Sequence, residues 1–122
     1  MRVLTVDRIS KRYTIGTKLR RELWALRDVS FTLEKGTVLG VIGPNGAGKT
    51  TLLKVLSRVT PPTRGKILGR GRVIPLLALG AAFQPDLSGR DNVFLNAAMY
   101  GIEAAFVKSR MDAIIEFSGI ED

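Results

Sequence analysis

The chemistry of this chain concentrates in eight consecutive residues, Gly43, Pro44, Asn45, Gly46, Ala47, Gly48, Lys49 and Thr50, which satisfy the spacing G-x-x-x-x-G-K-[ST]. A triphosphate can be wrapped by successive main-chain N–H groups only where no Cβ blocks their approach, and Gly43, Gly46 and Gly48 supply that freedom. A helix starting near Gly48 aims its positive dipole end and its unpaired N–H groups at the anion. Lys49 adds a point charge for the outer phosphates, and Thr50 a hydroxyl for a Mg2+ ion. The bland alternative is a glycine-rich turn that happens to precede a helix. It is disfavoured by the strand-like run before the loop and the helical pattern after it.

Those flanking elements must hold the loop in place. Residues 37–42 include Val38, Leu39, Val41 and Ile42, a nearly continuous apolar run of the kind a strand buried on both faces needs. Behind the loop, Leu52, Val55, Leu56 and Val59 recur at helical spacing and predict one apolar face that packs on a sheet. Thr60, Pro61, Pro62 and Gly65 then stop the helix and turn the chain.

The N-terminal third reads as β structure. Residues 3–6 are one candidate strand, and Val29, Phe31 and Leu33 alternate with Ser30, Thr32 and Glu34 in another, which Lys35 and Gly36 turn into the 37–42 run. Residues 14–23 are polar, basic and poorly periodic, and predict a loop or a hairpin insertion. Past the loop helix, residues 66–68 and 73–74 are short strand candidates around a glycine-bearing turn. Ser88 opens a helix in the manner of a capping box, with Leu95, Ala98, Met99 and Ile102 as its expected apolar face. A last helix from about Glu103 to Ser118 carries Val107, Met111, Ile114 and Ile115 on one side and ends at Gly119.

Composition narrows the function classes. A chain of 122 residues with 45% hydrophobic content is expected to bury one core. Its longest weakly polar stretch, residues 73–83, is too short to span a bilayer and contains Pro75 and Gly80, and the first seven residues lack the apolar core of a signal peptide. Cysteine and histidine are both absent, which removes disulfides, Cys/His zinc sites, Ser–His and Cys–His nucleophiles and any histidine proton switch. The formal charge of +8 is mainly N-terminal, where residues 1–27 hold eight basic side chains against Asp7 and Glu22. Such an excess attracts nucleotide, lipid headgroups or nucleic acid, or is a solvated face. With no aromatic-interleaved RNA-reading pattern and no DNA-reading helix signature, the solvated face is favoured and no nucleic-acid partner is expected.

Taken together, these motifs resemble the N-terminal half of the nucleotide-binding subunit of an ABC transporter, over nearly the whole chain. Residues 43–50 with Thr51, Leu52, Leu53 and Lys54 resemble that family's Walker A segment, and residues 25–31 resemble the strand that precedes it. Tyr13 falls where the family places the aromatic that stacks on adenine. Trp24 is the alternative platform, although it is expected to pack where its strand begins. Gln84 falls near the family's Q-loop glutamine, which helps bind Mg2+ and communicates with the membrane subunit. The stretch from Gln84 to Asn92 is shorter than the common family pattern. Residues 23–31 and 76–93 most resemble the ATPases that export O-antigen, capsule or teichoic-acid polysaccharides.

The resemblance implies an α/β fold: a P-loop NTPase core with an N-terminal antiparallel β subdomain and the start of a helical subdomain, forming an incomplete domain. It divides residues 1–122 at about 84, with the β and P-loop part before and the helical start after. It implies ATP and Mg2+ as cofactors. Tyr13, Gly43, Pro44, Asn45, Gly46, Ala47, Gly48, Lys49, Thr50 and Thr51 would hold the nucleotide, Lys49 would act in catalysis, and Thr50 and Gln84 would reach the metal. It further implies an ATPase that drives polysaccharide or glycolipid export, working as a homodimer with an integral-membrane permease subunit at the cytoplasmic face of the cell membrane. No L-S-G-G-Q-like signature, Walker B strand or switch histidine occurs in these residues, so the chain by itself is expected to bind nucleotide weakly and to hydrolyse it poorly or not at all. The alternatives are a soluble ABC-type ATPase acting on ribosomes or nucleic acid, and a nonhydrolysing remnant that docks on a membrane subunit.

Overall fold

The computed structural model describes residues 1–77 and 82–120. Two long strands, β1 (Arg2–Ile15) and β2 (Arg21–Glu34), form an antiparallel hairpin. A shorter strand, β3 (Arg64–Gly69), pairs antiparallel with the other edge of β1, giving the order β2-β1-β3. The basic stretch expected as a loop or hairpin insertion is the end of this hairpin, paired as far as Ile15 opposite Arg21.

Both long strands are bulged, and the bulges brace one another. Arg8 and Asp28 have φ values of 47° and 46°, a region that residues with a Cβ seldom adopt. The Arg8 N–H donates to Ser30 Oγ at 2.8 Å, and the Asp28 N–H donates to Ser10 Oγ at 3.0 Å. Each hydroxyl replaces a ladder bond that its bulge removes, so the local twist is gained without an orphaned amide.

The helix α1 (Lys49–Leu56) packs Leu52 and Val55 into a cluster with Val6, Ile9 and Leu26 of the hairpin. This is the apolar face expected from the spacing, except that Val59 lies past the helix end and is exposed. Ile9 and Val55 are fully buried, each contributing about 1.5–3 kcal/mol. The connector after α1 is tied to β1: Thr63 N–H donates to the Ser10 carbonyl at 2.8 Å, Arg12 N–H to Thr63 Oγ1 at 3.0 Å, and Lys11 Nζ to the Pro61 carbonyl at 2.8 Å.

Two strand expectations are corrected. Residues 37–42 are not a strand: Val38 and Ile42 are 98% and 95% exposed, and among the described residues no strand pairs with them. A strand buried on both faces needs a neighbour on each edge and a layer above and below, none of which is described beside this run. Residues 73–74 are likewise unpaired and outside any strand.

The chain divides into two compact units, Met1–Leu77 and Ala78–Asp122. In the second, α2 (Gly89–Met99) packs against α3 (Ala104–Ser118). Ser88 caps α2, its Oγ accepting from the Asp91 N–H at 3.1 Å, and Gly119 ends α3 in the left-handed region at φ 69°. Val107 and Met111 are buried on α3 as expected. The expected face of α2 is corrected, because Leu95, Ala98 and Met99 are exposed while Asn92 is buried and Val93, Phe94, Asn96 and Ala97 are half-buried. A polar residue turns inward here because the loop before the helix supplies all of its hydrogen-bond partners, so burial costs it little.

Candidate functional site

The loop 43–48 is shaped by what it lacks. Gly48 caps α1 at φ 97°, and a Cβ there would run into the Ala25 carbonyl and approach Leu26 Cδ2 to 3.3 Å, so only glycine lets the loop seat against β2. Gly46 also sits in the left-handed region, at φ 83°, but faces open space. Ala47 N–H donates to the Pro44 carbonyl at 3.2 Å and closes the turn, and Leu52 N–H donates to the Gly48 carbonyl at 2.8 Å and starts the helix. The cap has no side-chain acceptor and the first turn has no acidic residue, so the leading N–H groups of α1 and its positive dipole end are left for an external anion. Lys49 is half-buried, and its Nζ donates to the Gly43 carbonyl and, at 3.1 Å, to the Pro44 carbonyl. These bonds keep the cation over the loop instead of out in solvent.

A cleft of about 410 Å³ joins this loop to the hairpin. Tyr13, Leu23, Trp24 and Ala25 line one side, and Asn45, Gly46, Ala47, Gly48, Lys49, Thr50 and Thr51 line the other. The structure thus brings Tyr13 to the phosphate loop across more than thirty residues of sequence. Gly43 and Pro44 do not line the cleft and instead hold Lys49. A larger open hollow of about 670 Å³ along β1 and β3, whose cations are Arg2, Arg58 and Arg70, contains none of the motif residues.

The two aromatic side chains at the cleft are differently engaged. The Trp24 ring carries the guanidinium groups of Arg12 and Arg64 at 5.5 Å and of Arg27 at 6.0 Å, and Arg12 is also paired with Glu22 at 3.1 Å. The Tyr13 ring carries only the Lys11 ammonium at 5.3 Å, and that ammonium is already bound to the Pro61 carbonyl. Among the described residues, the Trp24 ring is thus engaged by three guanidinium groups and the Tyr13 ring by one ammonium.

Gln84 belongs to the second unit, where its N–H donates to Asn92 Oδ1 at 2.7 Å and its carbonyl accepts from Asn92 Nδ2 at 3.0 Å. Among the described residues, no group of Asp, Glu, His or Cys side chains is arranged to hold a metal. A magnesium ion bound mainly by phosphate oxygens and water needs few protein ligands, so the Thr50 hydroxyl beside the uncapped amides of α1 fits such an ion. Sequence reasoning missed Leu23 and Ala25 as cleft residues. Only the register that sets Tyr13 opposite Leu23, and the close approach of Gly48 to Ala25, reveal them. It also missed Asn92, which no spacing rule marks.

Comparison with known proteins gives a consistent answer. The family model described as ABC transporter matches residues 26–116. The O-antigen export system ATP-binding protein RfbB of Klebsiella pneumoniae is 46% identical over 98 residues, covering 80% of this chain and 40% of that protein. The teichoic acids export ATP-binding protein TagH of Lactococcus lactis is 44% identical over 103 residues, covering 84% of this chain and 22% of that protein. The capsule polysaccharide export ATP-binding protein CtrD of Neisseria meningitidis is 39% identical over 109 residues, covering 88% and 48% respectively. The chain therefore spans less than half the length of these relatives. An ATP-binding cassette solved as a dimer in a post-hydrolysis state with ADP and Pi superposes with a TM-score of 0.66 at 20% identity, covering 98% of this chain and 58% of that one, which shows the fold.

Proposed function

This chain belongs to the ABC transporter family, and on that premise we propose that it is the nucleotide-holding part of an ATP-binding subunit whose full-length form drives export of a polysaccharide or glycolipid. The observation that carries the proposal is the single cleft that unites Tyr13 with residues 45–51. The export assignment is supported by the roles of the O-antigen, teichoic-acid and capsule relatives. Nothing in the comparisons favours an ATPase directed at ribosomes or nucleic acid.

In this reading the leading amides of α1 and the Gly46 and Gly48 backbone bind the phosphates, and Lys49 exchanges its loop carbonyls for the outer phosphate oxygens. Gly43 and Pro44 store the ammonium within reach of that position. Thr50 would supply a hydroxyl for a Mg2+ ion, which when bound neutralises charge on the phosphates. Tyr13 stacks on the base, a sequence-tolerant contact worth about 1–3 kcal/mol. The partners are a second ATPase subunit and an integral-membrane permease, which would place the protein at the cytoplasmic face of the membrane. Among the described residues no helix is long and apolar enough to cross a membrane, so the contact with the bilayer would be made through the permease.

The test is Mg·ATP binding and phosphate release by the purified chain, with Lys49→Ala and Tyr13→Ala as variants. Binding that Lys49→Ala abolishes and Tyr13→Ala weakens about tenfold, without steady-state turnover, is the expected result. Unchanged affinity in Lys49→Ala would overturn the assigned site, and robust Lys49-dependent turnover would show that these 122 residues hold catalytic groups beyond those assigned here.

A further inference from the structure

The far end of the β1–β2 hairpin takes no part in the nucleotide cleft from residue 15 to residue 21. Residues 14–23 are all exposed, and among them Leu19 is 84% and Ile15 55% exposed. Beside these aliphatic groups stand Lys18, Arg20 and Arg21, with no acid in residues 15–21. Among the described residues none of the three cations is in an ion pair, and the adjacent Glu22 is already bound to Arg12 at 3.1 Å.

Register and turn fix how these groups are presented. Tyr13 stands opposite Leu23, Thr14 opposite Glu22 and Ile15 opposite Arg21, with no bulge between them. Strand alternation therefore puts Ile15, Arg21 and Leu23 on one face and Thr14 and Glu22 on the other, so the acid is turned away from the apolar face. Gly16 bends the chain at φ 92°, where a Cβ would strike the Leu19 carbonyl. The turn thus closes on the Leu19 main chain and leaves its side chain outside.

Exposed aliphatic groups flanked by uncompensated cations match a bilayer surface, whose acyl boundary takes up apolar side chains while its anionic headgroups attract the charges. The long stems of Lys and Arg keep the charged ends at headgroup level as the apolar groups sink. We propose that the hairpin tip, residues 15–21, docks the protein on a membrane surface that carries anionic lipid. A single-stranded nucleic acid fits less well, because its bases stack on aromatic side chains and residues 14–23 have none. A protein partner also fits less well, since a stable interface takes about 800 Å2 from each side and the tip is a short turn. The attachment adds to any made through a permease and needs no nucleotide.

The test is co-sedimentation of the purified chain with phosphatidylcholine vesicles, with and without phosphatidylglycerol, at low and high salt. Binding that requires phosphatidylglycerol and fades in high salt is expected. Lys18→Gln, Arg20→Gln and Arg21→Gln together should lower it about a hundredfold, at about fivefold for each charge. Leu19→Ser should lower it about tenfold. Two controls remove the same kinds of exposed group elsewhere: Lys66→Gln, Arg70→Gln and Arg72→Gln together, and Leu68→Ser. Equal losses in the tip variants and the controls would show that overall charge and apolar surface, not the tip, carry the binding, and the proposal would fall. Equal binding to vesicles without phosphatidylglycerol would overturn it as well. Insertion is read separately, because a chain without cysteine takes a single environment-sensitive fluorophore at Thr17→Cys. Its emission should shift to the blue on anionic vesicles, while the same label at the exposed Thr32→Cys should not. No shift at residue 17 removes the docking role, and tip variants that lose binding to polyuridine but not to vesicles would reassign the surface to nucleic acid.

Discussion

The two loops that lead into α1 and α2 are built by opposite means. The loop 43–48 takes its shape from missing side chains: Gly46 and Gly48 hold left-handed backbone, and Gly48 sits where any Cβ would strike Ala25. The loop 84–88 takes its shape from one side chain, Asn92, placed at the centre of four hydrogen bonds. The first leaves the leading amides of α1 without a side-chain cap, and the second ties its main chain to a side chain of α2. The first is therefore sensitive to adding atoms, and the second to removing them.

The largest effect should come from adding one methyl group to the first loop. Gly48→Ala combines left-handed strain of about 1–2 kcal/mol with overpacking of about 1–3 kcal/mol, so a loss near 3 kcal/mol in urea unfolding, with nucleotide binding abolished, is expected. Retained stability would mean that the loop does not need its seat on β2. Removal is tested in the second loop by Asn92→Ala, which strands the Gln84 N–H, takes one donor from the Gln84, Leu87 and Ser88 carbonyls, and should cost about 2 kcal/mol in the same unfolding measurement. Gly46→Ala separates strain from collision, because its Cβ meets nothing within 4 Å. A loss of about 1 kcal/mol, clearly less than at Gly48, is expected from thermal melting, and equal losses would show that conformation alone shapes the loop. The smallest effect belongs to Ser88→Ala, which deletes the α2 cap at a cost of about 1 kcal/mol or less while leaving Asn92 in place. Gln84 amide exchange should change little in that variant, and a large change would move the anchor of the second loop from Asn92 to the cap.

The first loop was far more legible than the second. Glycine, lysine and threonine at fixed spacing report a backbone requirement and a charge, and both are properties of the residues themselves. Leu52 and Val55 announced their burial by helical spacing, and Ser88 and Gly119 announced helix ends by their side-chain chemistry. Asn92 announced nothing, because an asparagine is buried only when acceptors and donors from other residues surround it. For the same reason the periodicity of α2 pointed to Leu95 and Met99, which the structure leaves 36% and 63% exposed. The 37–42 run shows the converse failure. Its apolar composition reads as a buried strand, yet burial is a relation between elements, and the described residues provide no partner for it.

What the sequence by itself determined is local: the phosphate loop and its helix, the alternation of β2, the helix caps, and the resemblance that led to the family. What only the tertiary structure decided is which distant residues share a place. The hairpin register carries Tyr13 to the loop, the Ala25 carbonyl makes Gly48 indispensable, three guanidinium groups occupy Trp24, and Asn92 takes hold of Gln84. The division has a physical cause. Backbone conformation, capping and charge depend on a residue and its near neighbours, whereas a close approach or a satisfied buried amide depends on surfaces that only the folded chain brings together.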